Sequence, residues 1–219
     1  MRNLARYDYI LFDLDGTLSK SAEGIRYSLE KTIEEVGCQS FDTSDYKLYI
    51  GPPLVDTFMN HCNLGREDAL EAVEVYRRYY DTEGKFKNKA YEGIEEVLSE
   101  IRKTGAKIVV ATSKYEKFAS EIVDILGLTP YIDAVCGSTL DGKRKDNKDI
   151  IVYAVDRLGG DFSHKIAMVG DTYFDARGAR LCGVDFVGVT YGYGDRESME
   201  KEGATVFAET VPDLKKYLI

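Results

Sequence analysis

Three aspartates stand where this sequence can do chemistry. Asp13 and Asp15 follow the apolar run Tyr9-Ile10-Leu11-Phe12 with only Leu14 between them, and Asp171 follows a second apolar run, Ile166-Ala167-Met168-Val169-Gly170. A buried strand gains nothing by ending in paired carboxylates, because charge taken out of water needs a cation or a reaction to compensate it. Side chains repeat with period two along an extended backbone, so Asp13 and Asp15 point to the same side. With Asp171 they form an oxygen-rich site suited to a hard divalent cation such as Mg2+. One carboxylate of the pair can attack phosphorus to give an aspartyl-phosphate while the other exchanges protons with the leaving oxygen and with water. The three phosphoryl oxygens then need donors. The sequence offers backbone amides in the turn after Asp15, where Gly16 stands, the hydroxyl of Thr112, the amide of Ser113 and a lysine.

These residues must be brought together by the elements that carry them. Residues 8–13, Lys107 to Thr112, Ile132 to Cys136, Ile166 to Val169 and Val184 to Val189 are short runs rich in β-branched residues, each ending in or followed by Gly, Asp, Thr or Ser. Between them lie helix-period segments: Gly93 to Lys103, Glu116 to Leu126, Lys148 to Leu158, Phe174 to Cys182 and Val211 to Tyr217. This alternation predicts an α/β fold, a doubly wound, Rossmann-like parallel sheet covered by helices. Ligands of such sheets bind beyond the carboxyl ends of the strands, where Asp13, Asp15, Thr112, Ser113, Gly170 and Asp171 should meet.

Between residues 19 and 88 the rhythm breaks. No convincing strand is visible there, while Ala22 to Val36, Asp42 to Tyr49, Leu54 to Cys62 and Glu67 to Gly84 read as helices, with a turn at Tyr49 to Leu54. The predicted organisation is therefore a core of residues 1–18 and 89–219 with an α-helical cap, residues 19–88, inserted after the first strand.

Charge and composition limit the partners. A chain of 219 residues with 29 basic and 38 acidic side chains carries a formal charge of −9, which disfavours nucleic acid as the main partner. The amino terminus lacks the pattern of a secretory signal, and no apolar stretch approaches the roughly 20 residues that span a bilayer, so a cytoplasmic protein without a membrane partner is expected. Cys38, Cys62, Cys136 and Cys182 are scattered without metal-ligand spacing, and they are expected to be reduced and mostly buried.

Taken in order, Asp13-Leu14-Asp15-Gly16-Thr17, the strand ending in Thr112-Ser113, a lysine before the fourth strand, and Gly170-Asp171 with Asp175 four residues later resemble the four motifs of the haloacid dehalogenase superfamily of phosphatases. The helical insert resembles that superfamily's cap. "YIGPPL", "YGYG" and the helix after Lys148 resemble the branch usually labelled phosphoglycolate phosphatase, which also contains enzymes acting on nucleoside monophosphates. The resemblance implies a small phosphorylated metabolite as substrate and a monomer or homodimer. It makes Asp13 the nucleophile and Asp15 the general acid and base. Mg2+ would bind the Asp13 carboxylate, the Asp15 backbone carbonyl and Asp171, helped by Asp175.

The lysine is chosen among Lys143, Lys145 and Lys148. A helix starting near Asn147 sets Lys148 on the stripe of Ile151, Val155 and Leu158, where a lysine has reason to stand if it meets an anion. Lys114, beside Ser113, is a further candidate to approach the bound anion. Other motifs fail on single residues: a calcium loop starting at Asp13 would need glycine at Leu18 and glutamate at Gly24, and the P-loop-like "GSTLDGKR" has Arg144 where a hydroxyl should hold Mg2+. "GYGDRE" at Gly192 to Glu197 lacks the last glycine of a dinucleotide fingerprint and reads as a loop at the sheet's edge.

Overall fold

The computed structural model describes residues 5–38, 41 and 49–219. Six parallel strands form the main sheet. β1 (Tyr9–Phe12) pairs on one side with β4 (Lys107–Tyr115) and on the other with β6 (Ile166–Gly170). β5 (Ala134–Ser138) extends the sheet beyond β4, while β7 (Asp185–Val189) and β8 (Phe207–Ala208) extend it beyond β6. Ile10, Leu11 and Phe12 are all fully buried, as expected of a central parallel strand covered on both faces.

Helices fill the crossovers. α4 (Ile94–Thr104), α5 (Glu116–Ile125), α6 (Asn147–Arg157) and α7 (Tyr173–Cys182) match the segments read from the sequence to within a residue or two. One layer of the core joins Leu11, Val109 and Met168 of the sheet to Ile150, Ile151, Ala154 and Val155 of α6 and Ala179 of α7. The short elements β8 and α8 (Arg196–Lys201) were not legible. The expected last helix is split into a 3-10 turn, Val211–Asp213, containing Pro212, and α9 (Leu214–Leu218), because proline removes a backbone donor.

The chain divides into two compact units, residues 1–20 with 90–219 and residues 21–89. It leaves and returns through β2 (Ser19–Lys20) and β3 (Lys89–Ala90), which form a separate two-stranded sheet; β2 lies where no strand was expected. The smaller unit contains α1 (Ala22–Val36), α2 (Leu54–Cys62), α3 (Arg66–Thr82) and a 3-10 turn, Gly84–Lys87. Leu29, Phe58 and Tyr80 are its largest fully buried side chains among the described residues. The expected helix from Asp42 to Tyr49 lies outside the described residues except for Tyr49. No helix among the described residues is long and apolar enough to cross a membrane.

The expectation of four reduced thiols is corrected. Cys38, just past α1, and Cys62, the last residue of α2, form a disulfide with 5.5 Å between their Cα atoms. Their 24-residue separation hid the pairing in the sequence, since proximity arises only when the ends of the two helices meet. Cys136 and Cys182 are free thiols.

Candidate active site

β1, β4 and β6 are neighbours in the sheet, so their carboxyl ends bring the first, second and last polar motifs together. The Asp13 amide donates to the Val169 carbonyl at 2.8 Å, continuing the ladder and fixing where the Asp13 side chain emerges. One oxygen from each of Asp13, Asp171 and Asp175 lies within 4.8 Å of the others, and the three residues are 7%, 0% and 1% exposed. Asp15 stands beside this trio. One of its oxygens, Oδ2, accepts from the Lys114 ammonium at 2.7 Å, while Oδ1 is buried with no hydrogen-bond partner.

β4 supplies the next group. Its pairing with β5 is irregular between Thr112 and Tyr115, which takes Ser113 and Lys114 out of the regular ladder. Thr112 is buried; its hydroxyl hydrogen-bonds Asp13 and accepts the Lys114 amide at 3.3 Å. Ser113 is exposed.

Asp171 and Asp175 are held differently from Asp13. Asp171 Oδ2 accepts the amides of Tyr193 at 2.7 Å and Gly194 at 3.2 Å, whereas Oδ1 is buried and has no partner. Both oxygens of Asp175 are occupied: Oδ1 accepts the Asn147 amide group at 2.5 Å, and Oδ2 accepts the Thr172 amide and hydroxyl at 3.0 and 2.7 Å. The Thr172 contacts are those of a helix amino-terminal capping box at the start of α7.

Electrostatics mark the trio as incomplete. Burial, then the charges of Asp175, Asp171 and Asp15, push the Asp13 carboxyl well above its ordinary range, with the Thr112 hydroxyl opposing. Burial and the Asp175 charge raise Asp171 to about 7 against the pull of the Tyr193 and Gly194 amides. Burial raises Asp175 to about 6 against its bonds to Thr172 and Asn147. A divalent cation among these oxygens offsets that repulsion, and the orphan Oδ1 of Asp171 is the kind of buried acceptor such an ion satisfies. The donor set, carboxylate oxygens only, fits Mg2+ and not a soft metal.

Two expectations require correction. Lys148, expected on the inward stripe of its helix, is exposed. α6 is capped by Asp146, whose side chain accepts the Asp149 amide, and its buried stripe runs through Asn147, Ile150, Ile151, Ala154 and Val155. Asn147 lies at the centre of that stripe, and one residue of helix turns the next side chain by about 100°. The inward position is thus a neutral amide, brought up to Asp175 where Gly178 of α7 leaves room: a Cβ there would stand 2.7 Å from Asn147 Cβ. Gly16 does not offer its amide either, because that N–H already donates to the Ser19 carbonyl at 2.9 Å. Its place in the site is steric. Its φ is 87°, and a Cβ would fall 2.2 Å from Asp171 Oδ2.

Sequence reasoning missed Asn147, Thr172 and the amides of Tyr193 and Gly194. The Thr-x-x-Asp spacing of Thr172 and Asp175 is a visible capping pattern, and Asn147 was recoverable from the helical stripe. Backbone amides carry no side-chain signature, so only the glycines of "YGYG" hinted at a tight loop.

Comparison with known proteins agrees with this geometry. Residues 10–189 match the family model described as haloacid dehalogenase-like hydrolase. The chain is 35% identical to the 5'-nucleotidase of Pseudomonas aeruginosa over 219 residues, covering 100% of this chain and 99% of that protein. It is 32% identical to the phosphoglycolate phosphatase of Aquifex aeolicus, covering 84% and 85% of the two chains. The crystal structure of a predicted phosphatase from Clostridium acetobutylicum superposes with a TM-score of 0.90 at 40% identity, covering 96% of this chain and 97% of that one. With a family model spanning most of its length and a site at the carboxyl ends of β1, β4 and β6, the chain belongs to the haloacid dehalogenase-like hydrolase family.

Proposed function

We propose that this protein is a Mg2+-dependent phosphatase that hydrolyses small phosphate monoesters through a phosphoenzyme on Asp13. The observation that carries the reading is the buried trio Asp13, Asp171 and Asp175 with Asp15 beside it. Asp13 is the nucleophile: a carboxylate oxygen forms the bond to phosphorus as the bond to the leaving oxygen breaks. Asp15 gives that oxygen its proton. In the second step water attacks the acyl phosphate, Asp15 takes the proton from that water, and the Asp13 oxygen–phosphorus bond breaks to release phosphate. Thr112 and the Ser113 amide bind phosphoryl oxygens, and Lys114, bonded to Asp15 at 2.7 Å, lies close enough to meet the same anion. Asp13, the Asp15 carbonyl and Asp171 would hold Mg2+, with Asp175 behind them. The ion supplies charge stabilisation for the phosphoryl group.

Substrate size and identity are assigned to the smaller unit, which we read as the family's cap domain. The relatives bear the names of a 5'-nucleotidase and a phosphoglycolate phosphatase. This supports a small phosphorylated metabolite, and it leaves the alcohol part to the cap, because the four motifs see only the phosphate. The test is phosphate release with and without Mg2+ from phosphoglycolate, nucleoside monophosphates, sugar phosphates, pyrophosphate and an aryl phosphate. Metal-dependent release that vanishes in Asp13→Asn supports the reading; no release from any of them by the wild type refutes it.

A further inference from the structure

We propose that Glu116, Gly137 and Arg144 form a latch that sets Ser113 and Lys114 in place for the substrate's phosphate, acting through the backbone of β4. This rests on the phosphatase reading above, in which Lys114 and the Ser113 amide meet the anion. β4 and β5 lose step where those two residues stand. Thr112 faces Gly137 and Tyr115 faces Ser138, so Ser113 and Lys114 are extra residues with no place in the ladder. A bulge of this kind re-aims side chains, but it forfeits the strand pairing that would otherwise fix the backbone.

Glu116, the first residue of α5, supplies a replacement. Its Oε2 accepts the Gly137 amide at 3.1 Å and the Arg144 guanidinium at 2.9 Å, which ties the end of the bulge to β5 and to the loop after it. Gly137 lets the two backbones close on this point. A Cβ there would stand 2.6 Å from the Lys114 carbonyl oxygen and 2.6 Å from Glu116 Cα. Arg144 is built in from both sides. Its guanidinium lies 3.6 Å from the centre of the Tyr153 ring on α6, its side chain is only 16% exposed, and its Nε is buried. Its backbone is fixed as well: the Thr139 amide donates to the Arg144 carbonyl at 3.0 Å, and the Arg144 amide donates to the Thr139 hydroxyl at 3.3 Å. A planar guanidinium can stack on a ring and bond a carboxylate at once, which an ammonium cannot. Arg157 adds a looser tie, 3.9 Å from Glu116 Oε1. The stretch "GSTLDGKR", which fails as a P-loop at Arg144, thereby has a use: it presents that arginine to Glu116. Glu116, Gly137 and Arg144 are positioning residues, and the groups offered to phosphate belong to Ser113 and Lys114.

A double-mutant cycle tests this, with Gly137→Ala and Arg144→Ala each made alone and on Lys114→Ala. The measurements are calorimetric binding of inorganic phosphate with Mg2+ present, kcat/KM for the best ester, and a thermal melt to establish that each variant is folded. In each single variant the phosphate dissociation constant is expected to rise, and kcat/KM to fall, by about tenfold, because a displacement of about 1 Å can cost up to about a hundredfold. On Lys114→Ala the same changes should cost about threefold or less, since the main group they position is already gone. A role confined to folding would lower the melting temperature and leave phosphate binding alone. Where Arg144→Ala does not fold, Arg144→Lys carries the measurement, keeping the charge and losing the flat stack on Tyr153. Single-variant effects below about threefold overturn the inference, as does an effect above about threefold that persists on Lys114→Ala, and both results leave the phosphatase reading intact. A wild type that neither binds phosphate nor releases it from any ester overturns the phosphatase reading and this inference with it.

Discussion

At the carboxyl ends of β1 and β6, Asp13, Asp171 and Asp175 lie buried against one another, whereas at the amino ends of the strands every aspartate meets a donor. Asp8 accepts the Lys165 amide at 2.8 Å, and Asp185 accepts the Tyr7 hydroxyl at 2.9 Å. Asp133 accepts the Ile108 amide at 2.9 Å and pairs with Lys107 and Arg102. Burial alone would raise the Asp133 carboxyl, yet the Ile108 amide and the two cations hold it below its ordinary value. Across the sheet, burial and like charges drive Asp13, Asp171 and Asp175 upward. The difference separates two uses of one residue type: in a carboxylate that stitches strands together the partners outweigh burial, and in the trio burial and like charges outweigh the partners it has.

Substitutions can break this contrast at either end. Asp13→Asn is expected to lower kcat by about a thousandfold or more while the fold survives, measured as phosphate release alongside circular dichroism. Lys114→Ala, which removes the cation bonded to Asp15, should cut kcat/KM by about a hundredfold and weaken inhibition by inorganic phosphate; unchanged inhibition would exclude Lys114 from anion binding.

The pH dependence of the metal-free protein sharpens the comparison. Asp171 and Asp175 have folded values of about 7 and about 6 against an ordinary 3.8, so between those limits the native state holds more protons than the unfolded chain. Stability must then fall as pH rises from about 4 to about 7, by an amount on the order of 5 °C or more in Tm, and saturating Mg2+ at neutral pH should restore it. A melting curve flat over that range would contradict the electrostatic picture. At the opposite end Asp133→Asn should cost about 1–3 kcal/mol in denaturant unfolding and leave kcat and KM unaltered. Lys148→Ala should be silent in both assays, and a rise in KM would return that lysine to the site.

Much of this arrangement was legible before any coordinates. Parallel strands buried on both faces read as unbroken apolar runs, so β1 and β6 were visible, and with them the places where Asp13 and Asp171 emerge. The helices α1, α2 and α4 to α7 followed from periodicity. The errors fall where a property is not local. Lys148 and Asn147 are neighbours in sequence, and the choice between them turned on where the centre of a helical stripe falls once α6 packs against α7. Gly16 reads as an amide donor until the turn closes and its N–H is taken by Ser19.

The sequence by itself determined the order of the strands' polar ends, the acidic chemistry they carry and the helical insert between the first and second motifs, because residue types and short periods record these directly. Tertiary structure alone decided which oxygens remain unpartnered. The amides on Asp171 come from residues 22 and 23 positions away, the amide on Asp175 comes from a different helix, and the Cys38–Cys62 bond closes across 24 residues. Hydrogen bonding and proximity at such separations depend on packing, and packing leaves no mark in a local pattern.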